Sequence, residues 1–331
     1  MVTIVVPVYN VSDYIERCIE SVTCQSYKNI ECIIVDDATP DDSITKCERI
    51  ISNNHGNVQF SILHHKQNRG LSAARNTGTD AAIGDYIFYM DGDDEITPDC
   101  IEKMLNPVLR DPSIEMVMGS FVREPDGFPL TPRQQQGKRL EEKDLKTREV
   151  VRESFFRNEF YANAWNKLIK KNFLLSNQLL FKEGILWEDI LWYFYVMKYI
   201  CHLYTLSDVT YIQHKHPRSI TTGISQERKA HYMGLVYEDI ANHFTAGEET
   251  QEATFLLRDF CIYSVQTSEN EMFHRVARQF KKALSDGNHK SELVLLSMTI
   301  LLSKSVMGRK FYCWALTIRR LMMLRCRPRT H

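Results

Sequence analysis

Three aspartates stand within four positions of the chain, directly after a short apolar run. The run covers residues 86–90, and the acidic segment is Asp91-Gly92-Asp93-Asp94. Carboxylates this close repel one another unless a positive charge lies among them. A divalent cation that carries phosphate oxygens would remove the repulsion, because Mg²⁺ and Mn²⁺ prefer oxygen ligands. The alternative is a solvent-exposed acidic turn in which the aspartates cap the next helix.

A second acidic pair, Glu188-Asp189, lies between apolar residues on both sides. Apolar surroundings raise the pKa of a carboxyl group towards values that suit a base at neutral pH. Such a base can take the proton from a hydroxyl group as that hydroxyl attacks a carbon atom. Carboxylates also stabilise the first turn of a helix, and a helix is predicted at 190–199. The two roles are compatible.

Short β-branched runs alternate with helical patterns through the first hundred residues. Strands are predicted at 3–8, 31–35, 58–63 and 86–90, with helices at about 13–23, 43–53 and 72–82. This alternation predicts an α/β fold with a Rossmann-like, doubly wound, mostly parallel sheet. Ligands bind beyond the carboxyl ends of such strands, so the residues that follow each strand are expected on one rim.

The residues expected on that rim have types that suit a nucleotide. Tyr9 offers a ring on which a base can stack, and Asp36 or Asp37 can accept hydrogen bonds from a base or a ribose. Arg75 supplies a permanent positive charge for a pyrophosphate. Taken one at a time, these residues have simpler explanations. Tyr9 could be a half-buried aromatic, the Asp pair a helix-capping turn and Arg75 a solvated helix residue. Their coincidence on one rim favours a binding site.

These motifs, in this order, resemble the family 2 glycosyltransferases of the GT-A fold. The resemblance rests on residues 7–10 (PVYN), 35–39 (VDDAT), 68–76 (NRGLSAARN) and 91–94 (DGDD), and it covers residues 3 to about 105. It implies an inverting transferase that uses a nucleotide-diphosphate sugar, most often UDP-linked, with Mn²⁺ or Mg²⁺ as cofactor.

The resemblance also implies roles for particular residues. Asp93 and Asp91 would bind the metal, and Asp189, supported by Glu188, would be the catalytic base. The nucleotide-sugar contacts are expected at Pro7, Tyr9, Asn10, Asp36, Asp37, Asn68, Arg75, Asp91 and Asp93.

Three further residues are candidates for phosphate or acceptor contacts. Lys167 follows Trp165 in a segment that resembles one of the family, although a core tryptophan beside a surface lysine explains it as well. His214 and His216 belong to a segment, 211–221, that resembles the loop closing the donor site. Histidine stands there where the family more often has arginine. The two histidines could instead be metal ligands or ordinary surface residues.

Beyond residue 105 the pattern changes. A helix is predicted at 101–109, a strand at 114–121, a helix at 143–159 and a strand at 203–211, with a polar loop at 124–139. A loop of that length is usually functional or mobile, and it could admit an acceptor. Residues 1–222 are therefore predicted to form the catalytic domain, and 223–331 a helical C-terminal region.

The C-terminal region is predicted to contain helices at 225–244, 248–263 and 269–285, followed by a basic amphipathic tail at 293–331. Residues 304–329 mix aromatic and apolar side chains with many Lys and Arg and no acidic residue. Basic amphipathic segments of this kind often lie on anionic membrane surfaces. The alternative is that the tail packs on the catalytic domain or on a second subunit, which leaves homo-oligomer formation open.

Composition narrows the location and the partners. A formal net charge of −1 argues against a nucleic-acid-binding protein. The nine cysteines form no C-x-x-C pair and no zinc-site spacing, which is typical of reduced thiols in a cytosolic protein. There is no signal-peptide pattern and no apolar run of about 18 residues. A cytoplasmic location is expected, at the inner face of the membrane if the tail binds lipid.

The leading hypothesis is transfer of a sugar to a hydroxyl of a glycan or lipid-linked acceptor in surface polysaccharide biosynthesis. One alternative is a sugar-1-phosphate nucleotidyltransferase, but the glycine-rich phosphate loop of those enzymes is missing from residues 8–12. The other is a non-catalytic glycan-binding or scaffold protein, against which the intact acidic motifs argue.

Overall fold

The computed structural model describes residues 1–53, 56, 58–217, 219 and 224–242. The chain divides into two compact units, one of residues 1–184 and 188–222, the other of 185–187 and 223–331. In the second unit the structure describes 185–187 and 224–242, which contain the helix Gln226–Asn242. The predicted helices at 248–263 and 269–285 and the basic tail lie outside the described residues. No helix within the described ranges is long and apolar enough to cross a membrane.

The first unit begins with alternating strands and helices, as predicted. In chain order they are β1 (Val2–Val8), α1 (Ile15–Thr23), β2 (Ile30–Asp36), α2 (Ser43–Ser52), β3 (Gln59–His64), α3 (Leu71–Ala81) and β4 (Tyr86–Tyr89). β1 pairs in parallel with β2 and β4, and β2 with β3. β1 is buried along its whole length, whereas β3 is partly exposed because it is the edge of the sheet.

The remaining elements complete the sheet. They are β5 (Glu95–Ile96), α4 (Cys100–Arg110), β6 (Met116–Pro125), α5 (Pro132–Gln135), β7 (Lys143–Leu145), α6 (Arg148–Phe156), β8 (Lys167–Lys170), α7 (Lys171–Ser176), α8 (Glu188–Tyr199), β9 (Leu203–Lys215) and α9, the helix of the second unit. Within the described ranges the strand order is β3-β2-β1-β4-β8-β6-β9-β5, and β7 pairs with β9.

The two halves of this sheet differ in strand direction. β1 to β4 are parallel, but β8 runs antiparallel to both of its neighbours, β4 and β6. β6 and β9 are parallel to each other, while β5 and β7 are antiparallel to β9. The α/β fold is confirmed, and the sheet as a whole is mixed.

The segment 124–159 differs most from its prediction. β6 continues to Pro125, and residues 132–135 form the short helix α5, which Thr131 caps by accepting a hydrogen bond from the Gln134 N–H. The helix predicted at 143–159 starts later, at Arg148, because Lys143–Leu145 pair with β9 instead. Pairing with a neighbouring strand outweighs the local helical pattern here.

Helix α3 lies very close to β1. A Cβ atom built on Gly78 would be 2.3 Å from Cγ1 of Val5, a distance that no side chain tolerates without movement. Glycine at this position therefore lets the helix approach the strand. The same helix carries Arg75, so this close packing determines where the arginine stands at the end of the sheet.

Candidate active site

The acidic segment follows β4 and packs against the end of β1. A Cβ on Gly92 would lie 3.1 Å from the backbone oxygen of Pro7, so the turn leaves little room for a larger residue. Asp91, Asp93 and Asp94 each offer a carboxylate oxygen within 4.8 Å of the others. Burial and then the charge of Asp93 raise the pKa of Asp94, and burial also raises the pKa of Asp91. The three acids form one cluster, as the sequence predicted.

Asp94 has a larger role than a capping residue. Its Oδ2 atom accepts a hydrogen bond from the Tyr211 hydroxyl at 2.7 Å, and its Oδ1 atom accepts one from the His214 backbone N–H at 2.8 Å. The buried carboxylate therefore attaches the end of β9 to the turn after β4. A sequence pattern does not reveal this role, because the partners are more than a hundred positions away.

Two groups hold Asp93, one through its side chain and one through its backbone. His216 Nε2 lies 2.8 Å from Asp93 Oδ2, and Arg17 Nη2 donates to the Asp93 backbone oxygen at 3.0 Å. The Tyr14 ring stacks on the His216 ring at a centroid distance of 4.1 Å, and the Arg17 guanidinium lies 5.1 Å from the Tyr14 ring centroid. Tyr14 and Arg17, both near the start of α1, were not among the predicted site residues.

Arg75 connects the acidic cluster to the Glu188-Asp189 pair. Its Nη2 donates to Asp91 Oδ1 at 2.8 Å, and its Nη1 donates to Glu188 Oε1 at 2.6 Å. Burial alone would lower the pKa of this guanidinium, but Asp91 and Glu188 together raise it. Arg75 is buried rather than a solvated helix residue. The two acidic motifs, far apart in sequence, are thus neighbours in space.

Asp189 lies in the first turn of α8, beside this bridge. Burial raises the pKa of its carboxyl group to about 7, the charge of Glu188 adds to the rise, and Arg75 opposes it. Its Oδ1 atom accepts a hydrogen bond from the Ile190 N–H at 2.9 Å. Asp189 therefore combines the helix-terminal position with the proton affinity of a base that works near neutral pH.

Lys167 is completely buried, so the prediction of a surface lysine is wrong. β8 lies between β4 and β6 in the sheet interior, which removes the side chain from solvent. Its ammonium group contacts the Asn163 backbone oxygen and lies 4.0 Å from the Tyr161 ring centroid. Burial lowers the pKa of Lys167 well below its usual value, and the charge of Asp189 opposes that effect.

His214 and His216 are also buried, which excludes ordinary surface histidines. His214 Nε2 lies 2.7 Å from Glu95 Oε1, and His216 makes the contact with Asp93 given above. The Nδ1 atom of His216 is buried without a hydrogen-bond partner among the described residues. Both rings therefore belong to the wall of the acidic cluster.

The residues predicted to contact the nucleotide surround the ends of β1 and β2. Pro7 is buried within β1, and Tyr9, just beyond it, is 46% exposed. Asn10 and Ala38 adopt left-handed backbone conformations, with φ of 56° and 55°. Such conformations are uncommon outside glycine and cluster at functional sites. The Asn10 N–H donates to Thr39 Oγ1 at 2.7 Å, which joins the two turns.

Asp36 and Asp37 both make contacts within the protein. Asp36 Oδ1 accepts from the Thr39 N–H at 2.8 Å, and its Oδ2 lies 2.9 Å from His64 Nδ1. Asp37 Oδ1 and Oδ2 accept from the backbone N–H groups of Arg69 and Gly70 at 2.8 and 2.7 Å. Asp37 therefore organises the loop before α3.

That loop contains Asn68, the last of the predicted nucleotide contacts, and its side chain is exposed. Gly70, which ends the loop, has φ of 90°, a conformation that glycine adopts without strain. The rim thus brings together the turns after β1, β2 and β4 and the start of α3.

The donor set at the acidic cluster fits a hard divalent cation. Asp91 and Asp93 each use one carboxylate oxygen for a protein contact, to Arg75 and His216, and their second oxygens have no hydrogen bond to any described residue. Asp94 uses both of its oxygens internally. Two carboxylates with a free oxygen each are the usual protein ligands of Mg²⁺ or Mn²⁺ in phosphate-binding sites.

Comparison with known proteins identifies the family. The family model described as Glycosyl transferase family 2 matches residues 3–174, more than half of the chain. The chain therefore belongs to glycosyl transferase family 2, as the order of its motifs predicted.

Curated relatives match about a third of the chain. Glycosyltransferase GlyA of Streptococcus pneumoniae is 39% identical over 109 residues, which are 33% of this chain and 15% of GlyA. A chondroitin synthase of Escherichia coli is 34% identical over 117 residues, 35% of this chain and 16% of that protein. Each match thus spans a small part of a longer relative.

Solved structures share this fold. S. aureus TarS 1-349 in complex with UDP-GlcNAc has a TM-score of 0.66 at 16% identity, covering 97% of this chain and 91% of that one. The mannosyltransferase PcManGT of Pyrobaculum calidifontis, in complex with GDP-Man and Mn²⁺, has a TM-score of 0.56 at 18% identity, with coverage of 97% and 86%. Both likenesses confirm the GT-A fold.

Proposed function

We propose that this protein is a metal-dependent, inverting glycosyltransferase that moves a sugar from a nucleotide-diphosphate sugar to a hydroxyl of an acceptor. The observation that carries the proposal is the Arg75 bridge between Asp91 and Glu188. Through this bridge, a carboxylate cluster suited to a divalent cation that carries a diphosphate lies beside a carboxyl group whose pKa of about 7 suits a base. Glycosyl transfer with inversion needs these two functions side by side.

The donor is proposed to be a UDP-sugar. The exposed ring of Tyr9 is available for stacking on the base, and the turns after β1 and β2 stand beside it. TarS, which shares the fold, was solved in complex with UDP-GlcNAc, whereas PcManGT was solved with GDP-Man. The buried Asp37 would act by holding the loop that contains Asn68.

The reaction would be a single displacement at the anomeric carbon. Asp189 takes the proton from the acceptor hydroxyl, whose oxygen attacks the sugar from the side opposite the nucleotide, and the bond to the diphosphate breaks. Asp91 and Asp93 would hold Mn²⁺ or Mg²⁺, which neutralises charge developing on the departing nucleoside diphosphate. Arg75, which is paired with both Asp91 and Glu188, would keep these two carboxylates in place.

The acceptor is proposed to be a glycan or a lipid-linked sugar in surface polysaccharide biosynthesis. The similarity to a chondroitin synthase supports a polysaccharide product. A lipid-linked acceptor would also give the basic tail at 293–331 a purpose at the inner face of a membrane.

The direct test is a thermal-shift screen of nucleotide-diphosphate sugars with and without Mn²⁺, followed by a transfer assay. A donor should raise the unfolding temperature in the presence of the metal, because ligand binding stabilises the folded state. Asp189→Asn should retain this shift and lose transfer by at least about a hundredfold, the range expected for removal of a general base. Normal turnover by Asp189→Asn would contradict the assignment of the base.

A further inference from the structure

Two positively charged side chains on the neighbouring strands β6 and β9 have no role in the proposed reaction. Arg123 lies on β6, and Lys215 is the last residue of β9. In the register of these strands, Arg123 stands opposite Gln213, and Phe121 stands opposite Tyr211. Because side chains alternate along a strand, residues 211, 213 and 215 face the same side of the sheet. This is the side on which the Tyr211 hydroxyl reaches Asp94.

Both cations are half-buried, yet neither makes an ion pair with a carboxylate in the part of the chain that the structure describes. Arg123 donates from Nε to the Gln213 side-chain oxygen at 2.9 Å, and its guanidinium lies 5.1 Å from the Phe121 ring centroid. Arg17 and Arg75, in contrast, are each paired with carboxylates nearby.

The electrostatics of the pair are unfavourable without a ligand. Burial lowers the pKa of Arg123, and burial together with the charge of Arg123 lowers the pKa of Lys215. The three aspartates raise the pKa of Lys215, but from beyond ion-pair distance. Two partly desolvated cations that repel each other are costly unless an anion joins them.

We propose that Arg123 and Lys215 form an anion subsite that takes a phosphate or carboxylate group of a substrate. The planar guanidinium can hold two oxygens of such a group, and the ammonium supplies a compact charge. Lys215 follows His214, whose backbone N–H donates to Asp94, so Lys215 lies at the end of β9 that contacts the acidic cluster. Arg123 lies opposite Gln213, two residues before Lys215. The subsite therefore lies at the edge of the proposed active site.

The anion could come from the donor diphosphate or from a charged acceptor, since both offer phosphate or carboxylate oxygens to the same two cations. The assignment to either source, unlike the subsite itself, rests on the proposed function.

The test is a calorimetric titration of the full chain with inorganic phosphate, at low salt and without metal or donor. Arg123→Gln/Lys215→Gln is compared with a control that removes two charges elsewhere, Lys28→Gln/Arg110→Gln. Wild type and control should bind phosphate, and the subsite variant should bind about tenfold or more weakly, because both charged contacts to the anion are lost. Circular dichroism and the two single variants separate this loss from misfolding.

A second titration, with saturating Mn²⁺ and UDP, distinguishes the sources. Phosphate that still binds beside UDP supports an acceptor subsite, whereas phosphate displaced by UDP assigns the pair to the donor diphosphate. Equal phosphate affinity in all three proteins, or none in the wild type, overturns the subsite. Because the first titration needs no turnover, failure of the subsite and failure of the proposed transferase function are separate results.

Discussion

At the scale of single residues, the site depends on charges that the protein holds apart from water. The carboxyl group of Asp189 has a pKa raised to about 7, first by burial and then by Glu188. A base acts in its deprotonated form. Below that pH the carboxyl group of Asp189 is mostly protonated and cannot take the proton of the acceptor hydroxyl. Asp189 therefore ionises less readily than an exposed carboxyl group, which suits the role of base proposed for it.

The pH dependence of the reaction should follow this group. The rate of transfer at limiting acceptor should rise as the pH increases through about 7 and level off above it, measured as initial rates of UDP release. In Glu188→Gln the midpoint should move to lower pH, because a neighbouring negative charge that raises the pKa of Asp189 is gone. A profile that does not change across this range would argue against Asp189 as the base.

The stacking of Tyr14 on His216 should control metal binding. Tyr14→Leu removes the ring that supports His216, which in turn contacts Asp93, so Mn²⁺ affinity should fall about tenfold, the lower end expected for loss of an outer-shell partner. Tyr14→Phe keeps the ring and should bind Mn²⁺ like the wild type. Direct Mn²⁺ titration by electron paramagnetic resonance measures both. Similar affinities for the Leu and Phe variants would show that the ring has no such role.

At the scale of elements, the position of the site depends on how closely α3 packs on β1. Gly78→Ala should destabilise the fold by about 1–3 kcal/mol, because the new methyl group overlaps Val5. Urea unfolding measures the loss. Val5→Ala removes the overlapping methyl groups, so the double variant should lose less than the sum of the two single variants. Strict additivity would show that the two residues do not compete for the same space.

The elements also show what the sequence could and could not predict. The strands of the parallel half were predictable, because short β-branched runs such as residues 3–8 leave few alternatives. β7 and β8 were not, since three or four residues become strands only through their neighbours, and this is also why the burial of Lys167 was missed.

The candidate site, too, was predictable only in part. The acidic motifs were predictable because a run of carboxylates needs an explanation wherever it occurs. The contacts of Tyr14, Arg17 and Asp94 were not, because each depends on a partner brought close only by the tertiary fold.

At the scale of the whole molecule, the basic tail at 293–331 stays a prediction from sequence. If it binds an anionic membrane surface, replacing Arg309, Lys310, Arg319 and Arg320 by glutamine should reduce co-sedimentation with phosphatidylglycerol vesicles. Binding of the wild type should also weaken as salt is added, because screening shortens the reach of surface charges. Replacing Lys28 and Arg110 instead should have little effect. Vesicle binding that is insensitive to both salt and the four replacements would exclude an electrostatic role.

The contacts of Asp94 also bear on the order in which the molecule folds. The Tyr211 hydroxyl is separated from this carboxylate by 117 positions, and closing so long a loop is slow compared with local pairing. During synthesis, β1 to β4 can form a parallel sheet well before β9 leaves the ribosome. In that interval the three aspartates would be exposed to solvent and would repel one another. The proposed active site would therefore be among the last parts of the unit to assemble.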